Sequence, residues 1–158
     1  LNCRLKKMEK FSPIRIILDN MLDTDNKSYL FKTADNTNTI IFYNEANKSK
    51  ILKFKSKKIQ LIKSKINKNK KFDLKIIMKK LYNLGCKNIL IEGGNELTKS
   101  FLLKKIFNQF YLFKSPKKLS KLVAYKEFNG LSTLKKNYQV EIKINSNFGK
   151  DTVTLYRN

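Results

Sequence analysis

The segment from Asp73 to about Ile106 constrains the chain most, because its hydrophobic period changes from helix to strand and back within a short length. Leu74, Ile77, Met78, Leu81 and Leu84 recur at helical spacing, with Asp73 placed as the N-cap and Gly85 at the C-terminal stop. Directly afterwards Asn88–Ile91 (NILI) reads as a strand and Glu92-Gly93-Gly94 as its turn. Asn95 can then cap a second helix to about Ile106, with Leu97, Phe101 and Leu102 on its buried side. Helix, strand, glycine turn and helix in that order point to an α/β architecture.

The remaining apolar runs agree. Residues 14–18 (IRIIL) follow Pro13 and end at Asp19-Asn20, and 39–43 (TIIFY) form a second run, both patterned as strands buried on two faces. Residues 51–54 and 59–62 are shorter apolar pieces among lysines and are expected to be short strands or edges. The segment 63–71 (KSKINKNKK) reads as a solvated loop. Residues 109–113 (QFYLF) predict another strand, and 138–144 with 152–156 predict a C-terminal hairpin. The expectation is one α/β domain over residues 1–158, with a mixed, mostly parallel sheet flanked by helices. Phe42, Tyr43, Phe110, Tyr111 and Phe113 fall in these strands and are expected to pack in the core.

The net charge of +23 raises the prospect of a nucleic acid or anionic membrane as partner. Of the 35 basic residues, however, only Arg4, Arg15 and Arg157 are arginine, whereas base and phosphate recognition leans on the guanidinium fork. Lysine, Asn and Ile are abundant while Gly and Pro are scarce, as expected when AT-rich codons fill tolerant positions. A solvated lysine surface is therefore favoured over a nucleic-acid face. No apolar run of about 18 residues could span a bilayer, and no signal-like leader is seen, so a soluble cytoplasmic protein is expected. Cys3 and Cys86 form no metal or disulfide motif and read as free thiols. The chain has no histidine, which removes imidazole bases and His-bearing metal sites. Chemistry carried by a cofactor, such as hydride transfer, fits that restriction.

The glycine turn is the candidate site. It lies where open α/β sheets bind ligands, its glycines admit a close backbone approach, and the N-terminus of the following helix favours an anion. A plain structural corner has the same spacing, so the turn by itself leaves both readings open.

The longer string, residues 84–119 (LGCKNILIEGGNELTKSFLLKKIFNQFYLFKSPKKL), closely resembles the reductase domain of the bifunctional riboflavin-biosynthesis deaminase/reductase. That family pattern is a helix ending L-G, a strand ending V-E-G-G, a helix with L-x-x-S/A-F/L-L, and a strand into A/S-P-K. Pro13–Asp19 resembles its P-x-R-V-V-L-D strand, and Leu1–Arg4 the end of its D-x-P-x-L-x-x-R segment. The resemblance implies a dihydrofolate-reductase-like fold. It also implies NADPH-dependent reduction of the ribosyl group of 5-amino-6-(5-phosphoribosylamino)uracil to the ribityl form, with hydride transfer by positioning and no metal. Dimers are common in the family, so a homodimer is among the assemblies it implies.

By the same resemblance Leu1, Arg4 and Glu92 sit at the substrate, with Arg4 pairing the ribose phosphate. Asn20, Gly93, Gly94, Asn95, Glu96, Leu97, Thr98, Lys99 and Ser100 correspond to NADPH-contacting positions. A surface arginine at 4, a solvated turn carboxylate at 92, and core-facing or solvent-facing Leu97 and Lys99 are the competing assignments. Two departures stand out. The chain starts inside the D-x-P-x-L-x-x-R segment, so the family's first strand and helix are expected to be missing. The stretch after Ser115-Pro116-Lys117 lacks the family's glycine. The deaminase half would need H-x-E and P-C-x-x-C motifs, and neither occurs. A dihydrofolate reductase proper, a lysine-rich nucleic-acid module and an inactive remnant are the rival readings.

Overall fold

The computed structural model describes residues 3, 5–117, 130–138, 140–144 and 149–157. The chain divides into two compact units, Leu1–Leu84 and Gly85–Asn158.

The first unit is built on three parallel strands in the order β1 (Arg15–Leu18), β2 (Thr39–Tyr43), β3 (Gln60–Lys63). Ile17 pairs with Ile41 in register, and Ile41 with Leu61. The middle strand is covered on both faces, leaving Ile40 4%, Ile41 0% and Phe42 0% exposed, which is why TIIFY does not alternate with polar residues. Ile41 belongs to a core cluster with Leu22, Phe31, Ala34, Phe54 and Ile59. Phe31 and Phe54 meet edge to face with centroids 5.2 Å apart. They come from two helices, α1 (Tyr29–Lys32), capped by Ser28, and α2 (Lys48–Lys55).

The helix α2 corrects the expectation of a short strand at 51–54. Asn47 Oδ1 accepts the Lys50 N–H at 2.8 Å and starts a helix. Ile51 and Phe54, three residues apart, then face the core, while Leu52 stays exposed. The expected piece at 59–62 is an edge strand shifted by one residue, β3 over Gln60–Lys63, with Ile59 buried just before it. Residues 64–72 form an ordered turn: Ile66 bridges Phe72, and Asn67 Oδ1 accepts the N–H groups of Asn69 and Lys71. The helix α3 (Leu74–Asn83) buries Leu74, Ile77 and Leu81, with Asp73 accepting the Lys75 N–H at 2.9 Å. Gly85 follows at φ 85°, a left-handed stop that glycine suits. Left-handed backbone also occurs at Lys58, Lys70 and Lys105.

Arg15, read as one of three scarce arginines, is 3% exposed. Its guanidinium donates to Thr39 Oγ1 from Nε (3.1 Å) and Nη2 (2.9 Å), to Thr33 Oγ1 (2.7 Å) and to the Thr37 carbonyl (3.3 Å). It thereby ties β1 to the α1–β2 connection. Burial lowers its pKa and Tyr29 acts in the opposite sense; a guanidinium nonetheless stays charged at physiological pH.

The second unit holds α4 (Asn95–Lys104), α5 (Leu131–Asn137) and an antiparallel sheet. Its strands are β4 (Gln109–Lys114), β5 (Val140–Ile144) and β6 (Thr152–Arg157), in the order β4-β6-β5. The hairpin is present, with Ile142 opposite Leu155, but Tyr138 closes α5 rather than opening β5. The parallel and antiparallel strands thus lie in separate sheets. Leu102, Leu134, Tyr138 and Tyr156 form the core cluster, with Phe107, Phe110 and Leu112 packed on it. Tyr111 and Phe113 point to the opposite face and are 48% and 61% exposed, contrary to the expectation of core packing. Strand alternation explains this, since the four-residue apolar run Phe110–Phe113 in a single-sided sheet must turn every second side chain away from its helices.

Residues 88–91, expected to be a strand, form no ladder among the described residues, and Leu90 is 77% exposed. An apolar run supplies side chains for burial, but a strand also needs a partner edge for its N–H and C=O groups.

Replacing Arg15 by Met keeps the apolar bulk and removes the four donated bonds. The expected loss is about 2–4 kcal/mol, read as a lower urea midpoint at unchanged slope. A loss below about 0.5 kcal/mol would show that the clamp contributes nothing net.

Candidate functional site

Two segments carry the sequence-predicted site, one in each unit. The first is the C-terminal edge of the parallel sheet. Past β1, the Asp19 N–H donates to the Phe42 carbonyl (2.9 Å), and the Asn20 carbonyl accepts the N–H groups of Asn44 (2.9 Å) and Glu45 (3.1 Å). Past β3, the buried Ser64 donates its N–H to the Tyr43 carbonyl at 2.7 Å. The strand ends are therefore stitched together.

The loop leaving β1 is shaped by the Asp19 carboxylate. Oδ1 accepts the Asp23 N–H (2.9 Å), and Oδ2 accepts both the Thr24 N–H (2.7 Å) and the Thr24 hydroxyl (2.6 Å). Burial raises the Asp19 pKa, but the Thr24 hydroxyl and the backbone N–H groups of Asp23, Thr24 and Met21 outweigh it and hold the carboxyl below its ordinary value. Lys50, in the first turn of α2, donates to Asp23 (2.6 Å) and to the Met21 carbonyl (3.1 Å). Leu22 takes a left-handed φ of 53° with its side chain 2% exposed in the core. Within this restrained loop the Asn20 Oδ1 is buried and has no hydrogen-bond partner. An unpaired buried acceptor costs about 1–3 kcal/mol, so an arriving donor is favoured there.

The second segment is the glycine turn. Gly94, not Asn95, is the N-cap of α4, with φ −68°, ψ 176° and no side-chain cap bond. The reason is the i+4 pairing: the Thr98 N–H bonds the Gly94 carbonyl at 3.1 Å, so Asn95 is already the first helical residue. A methyl group at Gly94 would meet nothing within 4 Å, whereas one at Gly93 would lie 2.8 Å from Leu97 Cδ2. Gly93 is thus required for packing under Leu97, and Gly94 fronts open space. Thr98 Oγ1 bonds the Gly93 carbonyl (3.3 Å) and Ser100 Oγ the Glu96 carbonyl (2.8 Å), so both hydroxyls turn back onto the backbone. Glu92 is exposed; Asn95, Leu97, Thr98, Lys99 and Ser100 are half-buried, and Glu96 is exposed.

Asn20 belongs to the first unit and Glu92 to Ser100 to the second. Leu1 and Arg4 lie outside the described residues. The Asp19–Thr24 network was not anticipated as part of the site; its signal was a strand-terminal Asp with Thr five residues on, a spacing shared with many ordinary loops. A shallow groove lined by Ser115, Pro116, Lys117, Lys150 and Asp151 marks the S-P-K turn. Among the described residues no group of three or more Cys, Asp or Glu is placed to hold a metal. None of the described helices is long and apolar enough to cross a membrane.

The first unit thus carries a buried, unpartnered amide oxygen at the C-terminal edge of its parallel sheet, and the second opens α4 on a glycine turn, the parts of an α/β protein. Solved structures agree on the fold. A pyrimidine reductase-like protein from Corynebacterium diphtheriae superposes with a TM-score of 0.65 at 19% identity, over 92% of this chain and 61% of that one. The RibD of Acinetobacter baumannii gives a TM-score of 0.65 at 13% identity, over 92% of this chain and 37% of that one. The chain belongs to the RibD C-terminal domain family, whose model it matches over residues 1–153. Among curated relatives, the riboflavin biosynthesis protein RibD of Aquifex aeolicus is 28% identical over 157 residues, and that of Actinobacillus pleuropneumoniae 27% over 158. Each alignment covers 99% of this chain but only 42% and 41% of the relative, so the chain spans about two fifths of their length.

Two measurements check the site. Gly93→Ala is expected to lower stability by about 1–3 kcal/mol through the Leu97 clash, while Gly94→Ala changes it by less than about 0.5 kcal/mol; equal losses would contradict the assignment. For Asp19, a folded-state pKa held below the unfolded value gives stability that is complete above the unfolded pKa of about 3.9 and is lost as pH falls through the lowered value. The stability gap between wild type and Asp19→Asn, from urea unfolding, should therefore be widest at neutral pH and shrink on acidification below about pH 4.

Proposed function

We propose that this chain is a reductase domain that uses NADPH to reduce the ribosyl group of 5-amino-6-(5-phosphoribosylamino)uracil to its ribityl form in riboflavin biosynthesis. The observation that carries the reading is the family match over residues 1–153, which runs through both compact units and supports their working as one domain. The residues fit a dinucleotide. Gly94 leaves room for a close backbone approach, the first turn of α4 offers an N-terminal dipole to phosphate, and Asn20 Oδ1 awaits a donor.

Bound NADPH supplies the hydride. The chain's own residues bind and orient: Asn20 and Gly93 through Ser100 hold the cofactor, and Leu1, Arg4 and Glu92 hold the substrate, with Arg4 on its phosphate. Rate acceleration then comes from positioning, with no histidine needed. A cytoplasmic location, a small-molecule substrate in place of nucleic acid, and assembly as a homodimer complete the reading.

The test is a fluorescence titration with NADPH and NADH at near-physiological salt, with single-stranded RNA as competitor. Saturable binding that prefers NADPH, weakens in Gly94→Val and ignores RNA is expected, followed by NADPH consumption with the aminouracil substrate. Absence of NADPH binding together with tight, salt-sensitive RNA binding would replace the reading with that of a basic nucleic-acid module.

A further inference from the structure

The loop from Asp19 to Thr24 carries more restraint than a connection between a strand and a helix needs. Its first residue gathers three donors on one carboxylate, from Asp23 N–H and from the N–H and hydroxyl of Thr24. Lys50 reaches from α2 to tie Asp23 and the Met21 carbonyl. The Asn20 carbonyl is held by two N–H groups past β2, and Leu22 is kept in a left-handed conformation by its burial. All of these ties converge around one side chain, Asn20, whose Oδ1 is buried and unpartnered. Backbone strain maintained by over-determined surroundings is a mark of ligand clamps, and a buried orphan acceptor asks for an explanation in the same terms.

We propose that Asp19 is a positioning residue of the cofactor edge: without touching the dinucleotide, its carboxylate fixes the 19–24 loop so that the Asn20 amide meets NADPH in a set orientation. The inference rests on the NADPH reading above. Its physical content is pre-organisation. The loop's shape is fixed before binding, so the cofactor does not have to order it. Asp19→Asn keeps the size of the side chain but places an NH2 group where three donors converge. Thr24→Val removes the hydroxyl donor and leaves the carboxylate in place. Thr24→Ser keeps the hydroxyl and is the control for restoration.

The experiment pairs NADPH titration with amide hydrogen exchange on the same proteins. Asp19→Asn and Thr24→Val should each weaken NADPH binding about tenfold, the scale set by one lost charge-assisted hydrogen bond, while Thr24→Ser binds like wild type. The Asp23 and Thr24 amides should lose protection, with those of Ile40–Phe42 unchanged, which separates a loosened loop from a destabilised unit. Should both variants free the loop amides yet bind NADPH as wild type does, the positioning role is overturned and the cofactor reading stands. Should the Asp23 and Thr24 amides stay protected in Asp19→Asn, the carboxylate does not fix the loop and the inference fails on its own ground. Failure of the wild-type protein to bind NADPH overturns the cofactor reading, and the inference with it.

Discussion

The strand β2 is the element on which the first unit depends, because it is hydrogen-bonded on both edges and covered on both faces. Burying Ile40, Ile41 and Phe42 contributes about 1.5–3 kcal/mol each, and none of the three can move without opening two ladders. Both ends of the strand are then elaborated. At its start Thr39 receives the Arg15 guanidinium, at the end of the strand opposite the Asp19–Thr24 loop. At its end the carbonyls of Phe42 and Tyr43 anchor Asp19 and Ser64, so the loops leaving β1 and β3 are tied to the backbone of the most buried strand in the unit.

Patterns that depend on short-range chemistry were legible in the sequence. Asp73 and Gly85 bracket α3 where capping rules put them, and TIIFY is a strand buried as expected of parallel pairing, whereas IRIIL yields a strand over Arg15–Leu18 whose Ile16, Ile17 and Leu18 are only half-buried and leaves Ile14 exposed. Failures occurred where a partner decides. The four apolar and lysine residues at 51–54 do not reveal a helix until Asn47 is counted as its cap. NILI has a strand's composition and lacks a strand's partner edge among the described residues. Tyr111 and Phe113 sit in a real strand, but which face of it is covered depends on where α4 and α5 dock. In the site, the value of Gly94 was readable only as a turn; that its missing side chain faces open space while that of Gly93 faces Leu97 is set by packing one helical turn on, which the spacing does not encode.

The charge, the loudest feature of the composition, has little to do with the candidate site. Of the lysines, Lys50 has a defined task at the C-terminal edge of the parallel sheet, bonding Asp23 and a backbone carbonyl, and Lys57 pairs with Asp35. With 12 acidic residues for 35 basic ones, few such pairs are available. Arginine, by contrast, is kept where geometry demands it, as at buried Arg15, whose fork reaches three acceptors that an ammonium could not span.

Four of the five non-glycine residues with left-handed backbone among those described are lysines, at positions 7, 58, 70 and 105. Lys105 ends α4 and Lys58 follows α2, places where glycine or asparagine is the usual occupant. Each such residue costs about 1 kcal/mol relative to glycine, and a fold of this size has a net stability of only about 5–15 kcal/mol. Those four positions therefore take up part of that margin, and glycine at any of them would return some of it.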